Sequence, residues 1–261
     1  MVSSGIHLLV ALSIIFTISL RPCYCQNLTV QGNGFAPAKA TWYGDPQGAG
    51  STGGACGYTD AVANPPFEGM ISAGGPSLYN DGRGCGTCYE IVCTENPACS
   101  GKPITVVITD ECPGGPCASD PVHFDLSGTA IGALAKPGQD GNLRAAGILN
   151  VEYSRSPCSY PGTNIAFRMD PGANPYYMAF VVVYGDGDGN LAAVEIQPAG
   201  KNYMAMQEMR SAEWKLNSGD PLTGPFNVRL TSGVSGKVVE ANAVIPENWK
   251  PGDTYRSVVN F

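Results

Sequence analysis

Residues 104–128 read ITVVITDECPGGPCASDPVHFDLSG. The run Ile104 to Thr109 is β-branched throughout, the composition of a strand buried in a sheet, and it ends on a carboxylate, Asp110. The loop that follows is short and bends easily, so Cys112 and Cys117 can pair across Pro113-Gly114-Gly115-Pro116. Beyond it His123, Phe124 and Asp125 lead into Leu126-Ser127-Gly128. The other histidine of the chain, His7, falls in an expected leader, which leaves His123 as the sole imidazole of the mature protein. A strand-end acid beside an H-x-D pair is what a proton-transfer or polar-ligand site uses. The structural alternative is that His123 bonds a backbone carbonyl and Asp125 caps a small-residue helix over residues 126–135.

Residues 1–25 contain no acid and carry an apolar run from Leu8 to Leu20, shorter than the ~20 residues of a membrane span. They read as a secretory signal peptide cleaved before Gln26, with small residues Cys23 and Cys25 at the cleavage site. Ten cysteines less these two leave an even set, suited to an oxidising, extracellular compartment. Asn27-Leu28-Thr29 is a glycosylation sequon. The formal charge is −7 and becomes more negative when Arg21 leaves with the leader. Nucleic acid, anionic lipid and pectin are therefore poor partners, no membrane association is expected after cleavage, and the partner should be neutral or basic.

Residues 26–40 read as a loosely held N-terminal extension. Every remaining cysteine lies within residues 41–158, with strand-like runs at Tyr89–Cys93, Ile104–Thr109 and Gly147–Tyr153. Cysteine then stops, so residues 159–163 are expected to be a linker and residues 164–261 a second domain. Its runs Ile165–Met169, Tyr177–Tyr184, Leu191–Gln197, Phe226–Leu230, Lys237–Ala241 and Tyr255–Val259 suggest a sandwich. No stretch has a sustained helical period.

Cys85-Gly86-Thr87-Cys88 has redox or zinc spacing, but the secreted context and the lack of a nearby histidine favour disulfides, and no metal or cofactor is expected. Asp186-Gly187-Asp188-Gly189-Asn190 imitates a calcium loop, yet Leu191 and Gln197 stand where the loop needs Gly and Glu, so a hairpin turn is expected. Thr41-Trp42-Tyr43-Gly44-Asp45 sets two aromatics side by side; in a strand they face opposite ways, and an exposed ring stacks well on sugars.

Thr41-Trp42-Tyr43-Gly44, Gly53-Gly54-Ala55-Cys56-Gly57-Tyr58, the segment from Gly84 to Glu90, His123-Phe124-Asp125-Leu126-Ser127, Gly224-Pro225-Phe226 and Ile245-Pro246 with Asn248-Trp249 together resemble the expansins. The Cys99 region and the two late signatures favour the β-expansin branch, to which the group-1 grass pollen allergens belong. The resemblance covers residues 26–261. It implies an all-β protein: a six-stranded double-psi β-barrel similar to family-45 endoglucanases, followed by an immunoglobulin-like, carbohydrate-binding β-sandwich. It also implies the pairs Cys56 with Cys85, Cys88 with Cys158 and Cys93 with Cys99, Cys112 with Cys117 being an addition.

Carried over by position, Thr41, Trp42, Tyr43, Asp110, His123 and Asp125 would line a groove on the barrel, and Asn174, Tyr177, Trp214 and Lys215 would extend it across the sandwich. Asp125 matches the endoglucanase general acid, and Asp45 stands in register with their base. Two departures bear on binding. Arg210-Ser211-Ala212-Glu213-Trp214 replaces a Trp-Gly-Ala-x-Trp pattern, and the Gly50–Gly53 loop is short and lacks a carboxylate. The implied function is that of a monomeric, secreted plant cell-wall protein that binds xylan, mixed-linkage glucan or the cellulose surface and loosens the wall without hydrolysis. An inverting endoglycanase using Asp125 as acid and Asp45 as base, and a purely adhesive barwin-like protein, are the alternatives.

Overall fold

A computed structural model describes residues 34–261. The expected signal peptide, the sequon at Asn27 and residues 26–33 lie outside the described residues. Among the described residues no helix is long and apolar enough to cross a membrane.

The first part is a closed barrel of β1 (Ala36–Tyr43), β2 (Ile71–Gly74), β3 (Cys88–Val92), β4 (Ile104–Glu111), β5 (His123–Ser127) and β6 (Leu149–Ser156), in the order β1-β5-β2-β4-β3-β6. Strands β1 and β5 run parallel, as do β2 and β4, and β6 closes the barrel onto β1. Alternation along the strands sends Ile91, Val106, Ile108, Phe124, Leu126 and Val151 into one apolar core. Strand β1 begins at Ala36, so residues 36–40 belong to the barrel and not to a loose extension: Ala36 to Ala40 pair with Tyr153 to Leu149 of β6.

Short helices fill the connections: α1 (Pro76–Tyr79), α2 (Pro116–Ser119), α3 (Gly128–Ala133) and α4 (Asp140–Ala145). Ser127 caps α3, its hydroxyl accepting from the Ala130 amide at 2.9 Å. Asp125, expected as a cap in the structural alternative, is therefore free of that role and sits within β5.

The second part is a sandwich. One sheet holds β7 (Ala166–Met169), β8 (Tyr177–Val183), β11 (Gln207–Glu208), β12 (Glu213–Asn217) and β15 (Thr254–Arg256); the other holds β9 (Leu191–Gln197), β10 (Met204–Ala205), β13 (Phe226–Ser232) and β14 (Val238–Ile245). Their inner faces bury Phe167, Phe180, Val194, Ile196, Phe226 and Val228. Because β8 and β9 belong to different sheets, residues 185–190 are a crossover and not the expected hairpin turn. Asp188 is used within it, accepting from the Ser232 hydroxyl and the amides of Val234 and Ser235. Those three donors hold its carboxyl well below the ordinary aspartate range.

All four disulfides are present: Cys56–Cys85, Cys88–Cys158, Cys93–Cys99 and Cys112–Cys117. Barrel and sandwich lie in one compact unit. Tyr58 and Phe67 of the barrel pack with Tyr160 and Tyr184, ring centroids 5.2 to 5.9 Å apart, over Ala166, Val181 and Val183 on the outer face of the five-stranded sheet. The expected linker is thus not free, since Tyr160 is buried in this junction and its amide donates to Asp186.

Candidate functional site

A single row of residues crosses four barrel strands. Thr41 of β1 is level with Asp125 of β5, Asp125 with Ala73 of β2, and Ala73 with Asp110 of β4. Neighbouring strands lie about 4.8 Å apart, which puts the two aspartates about 10 Å apart at their backbones with a methyl group between. A β-bulge makes this possible: the β2–β4 register jumps from Ser72 opposite Ile108 to Ala73 opposite Asp110, skipping Thr109. Thr109 is buried and Asp110 is turned into the row, a re-aiming that bulges provide.

The two carboxylates are held differently. Asp110 Oδ1 accepts from the amides of Ala55, at 2.7 Å, and Glu111, at 2.8 Å. Asp125 Oδ1 accepts from the Thr41 hydroxyl at 2.5 Å, and that hydroxyl lies 2.9 Å from His123 Nε2. Burial raises the Asp125 carboxyl above its ordinary value; the Thr41 hydrogen bond and the His123 charge oppose the rise, and the Asp110 charge adds to it. His123 is fully buried, and its Nδ1 lies 2.8 Å from Asp120 Oδ2. Asp120 was missed in the sequence, where it is one loop acid among several.

Tyr43 flanks the row. Its ring packs against Gly50, whose φ of +69° and missing Cβ are both required, because a Cβ there would sit 2.4 Å from Tyr43 Cζ. Its hydroxyl is buried without a hydrogen-bond partner among the described residues, and burial followed by the Asp110 charge pushes it far above its ordinary value. Trp42 points the other way, as adjacent strand residues must. Its indole N–H donates to the Arg144 carbonyl at 3.2 Å and the Arg144 guanidinium lies 5.9 Å from its ring, so the structure does not bring Trp42 into the row. Asp45 lies in an exposed turn in which its backbone carbonyl accepts from Gly48, and no hydrogen bond holds its carboxylate among the described residues.

On the sandwich, Tyr177 and Lys215 lie on the outer face of the five-stranded sheet, Lys215 level with Ala179 and Asn217 level with Tyr177. Asn174 is exposed, but its side chain accepts from the Tyr176 and Tyr177 amides and so shapes the turn. That turn presents Tyr176, 54% exposed and not anticipated from the sequence. Trp214 corrects an expectation. It is 6% exposed and points inward, so its faces are spent in the sandwich core. The alternation Glu213-Trp214-Lys215-Leu216-Asn217 carried that signal, since Trp214 shares a face with Leu216. Between the two parts, the Tyr79 hydroxyl donates to the Arg210 carbonyl at 2.8 Å and the Ala212 amide to the Cys56 carbonyl at 3.2 Å.

A double-psi barrel with a carboxylate row, packed against a two-sheet sandwich, defines the class of two-domain barrel–sandwich proteins. Residues 71–153 match the barrel family model described as lytic transglycolase, and residues 165–246 match that of the expansin C-terminal domain. Expansin-B4 of Arabidopsis thaliana is 66% identical across 96% of this chain and 97% of its own length; Expansin-B11 of Oryza sativa subsp. japonica is 58% identical across 87% and 78%. The crystal structure of apo Clavibacter michiganensis expansin has the same fold, with a TM-score of 0.64 at 23% identity over 87% of this chain and 97% of that one. A mutant of that expansin in complex with cellohexaose matches with the same TM-score at 22% identity. The chain belongs to the expansin family, in its β-expansin branch.

Proposed function

We propose that this β-expansin loosens the plant cell wall by binding neutral matrix polysaccharide along a surface that starts at the Thr41–Asp125–Asp110 row and continues over Tyr176, Tyr177 and Lys215, without cleaving the chain it holds. The observation that carries this reading is the asymmetry of the row. Burial raises the Asp125 carboxyl, while Asp110 is occupied by two backbone amides. Inverting hydrolysis needs a second, oriented carboxylate about 6.5 to 9.5 Å from the acid to activate water. Asp45, which matches the endoglucanase base in register, is exposed and unheld. The cellohexaose complex of the related Clavibacter michiganensis expansin supports a glucan-like ligand, and the low charged content of 14% suits a neutral polymer.

Loosening then follows from differential binding. A surface that holds a separated or twisted glycan better than one packed against its neighbour shifts the equilibrium toward separation, and polymers slip under load. The protein would act in the wall, after loss of residues 1–25 and glycosylation at Asn27. The test is a creep assay on isolated grass walls run beside a reducing-sugar assay on the same material. Creep without new reducing ends is expected. Sustained release of reducing ends, lost in both Asp45→Asn and Asp125→Asn, would replace this reading with that of an endoglycanase.

A further inference from the structure

We infer that Asp120, acting through His123 and Thr41, sets the proton affinity of Asp125, and that the loop closed by Cys112–Cys117 holds Asp120 in place for this task. The consequence for wall loosening rests on the function proposed above; the proton chemistry does not.

Four side chains form one line. Asp120 Oδ2 lies 2.8 Å from His123 Nδ1, His123 Nε2 lies 2.9 Å from Thr41 Oγ1, and Thr41 Oγ1 lies 2.5 Å from Asp125 Oδ1. Suppose both aspartates are ionised and the imidazole is neutral. The single ring proton goes to Nδ1, where it meets the Asp120 carboxylate, and Nε2 then presents a lone pair. Thr41 now faces two acceptors with one hydroxyl proton. Moving the ring proton to Nε2 only relocates the conflict, because a bare Nδ1 would then face a carboxylate.

One added proton resolves it, in either of two arrangements. In the first, Asp125 is a neutral acid donating to Thr41 Oγ1, and Thr41 donates to His123 Nε2. In the second, each of those two protons has moved one place toward the ring: Thr41 donates to an ionised Asp125, and an imidazolium donates to both Thr41 and Asp120. Proton count and total charge are the same in both. Without the Asp120 charge the line needs no extra proton, since a neutral ring carrying Nε2–H donates to Thr41 and Thr41 donates to Asp125. Asp120 therefore makes the line take up its proton at higher pH.

The surroundings fit a positioning residue. Asp120 directly follows α2, its amide donating to the Pro116 carbonyl at 3.0 Å, and Cys117 of α2 is bonded to Cys112 just beyond β4. The Cys112 and Cys117 sulfurs lie within 4.8 Å of the Asp125 carboxylate, so the same ring touches both ends of the line. At its outer side Asp120 opens on a cavity of about 490 Å³ that it shares with Lys39, Glu95 and Glu152. Asp125 faces Asp110 and Tyr43, with Glu111 adjoining Asp110. These groups are unchanged by substitution at 120, so their influence cancels in a comparison of variants.

The experiment is a magnetic-resonance titration of the chain made with nitrogen-labelled histidine, which reads tautomer and protonation directly because the sequence holds two histidines and His123 is one of them. In the wild type His123 should carry Nδ1–H at alkaline pH. Its line should take up a proton about one pH unit higher than in Asp120→Asn, a tenfold difference in affinity. Asp120→Asn should populate Nε2–H, and Asp120→Glu should restore the wild-type tautomer and so exclude misfolding as the cause. The pH at which wall extension falls off should shift down by the same amount in Asp120→Asn. An unchanged titration in Asp120→Asn, or Nε2–H in the alkaline wild type, would overturn the inference. A titration that moves as stated in a protein that never extends walls would leave the relay standing and remove the wall-loosening function; walls that extend while the titration stays put would do the reverse.

Discussion

Asp110 and Asp125 stand level in one cross-strand row with only Ala73 between them, yet one is tied to two backbone amides and the other to a hydroxyl that is itself shared. The amides of Ala55 and Glu111 hold Asp110 in place. Asp125 is bonded to groups that can exchange protons, and its own ionisation is opposed by burial.

Asp125→Asn should therefore remove wall extension by well over tenfold, since hydrogen bonds to charged groups contribute about 1.5–3 kcal/mol. The same variant should be more stable than the wild type at neutral pH. The folded-state pKa of Asp125 is raised, so its contribution to stability is full below the ordinary aspartate value of ~3.9 and is lost as pH rises through the folded value. Asn keeps the neutral form throughout. Thermal melts at neutral and at low pH should show a higher Tm for Asp125→Asn at the first and convergence at the second.

Gly50→Ala should displace Tyr43. The new methyl would meet the ring at 2.4 Å in a backbone conformation that costs a side chain about 1–3 kcal/mol. Denaturant midpoints should fall accordingly, and wall binding should weaken along with them; an unchanged midpoint would mean that the Gly50 loop moves freely.

Trp214 and Tyr177 should respond in opposite ways. Trp214→Ala removes a core side chain and should cost about 3–5 kcal/mol of stability, visible as a large drop in Tm. Tyr177→Ala and Tyr176→Ala should leave Tm nearly unchanged and weaken retention on wall polysaccharide several-fold each, a stacked ring contributing about 1 kcal/mol. Retention by Tyr177→Ala equal to wild type would remove the sandwich face from the binding surface.

Gly82→Ala tests the junction. A Cβ at Gly82 would lie 2.0 Å from the Arg210 carbonyl carbon and 2.4 Å from the Ser211 nitrogen, both backbone atoms. The variant should undock the sandwich while each part stays folded, so calorimetry should replace one transition with two.

Much of this was legible in the chain. The β-branched run Ile104–Thr109 announced β4, and strongly apolar or alternating runs announced β8, β9 and β13, because burial on one or both faces leaves a period in the sequence. Strand β5 was obscured by His123 and Asp125, polar residues both tied to Thr41 of a strand distant in sequence, and β1 by Pro37 and Lys39. The bulge at Thr109, which decides where Asp110 points, left no mark in ITVVITDE. Asp120 was equally silent, since its role depends on a ring three residues on and on a hydroxyl from another strand.

The Cys88–Cys158 bond joins β3 to the start of the expected linker, and the Cys158 backbone exchanges two hydrogen bonds with Gly187 in the crossover between the two sandwich sheets. On the function proposed above, force carried by a polymer lying across barrel and sandwich would pass through this covalent tie and enter both sheets together. Among the described residues the tie is reinforced where Tyr58, Phe67, Tyr160 and Tyr184 pack at the same junction. A junction so tied would act as a splint, and the strain would be relieved outside the protein, where one glycan would creep past the next.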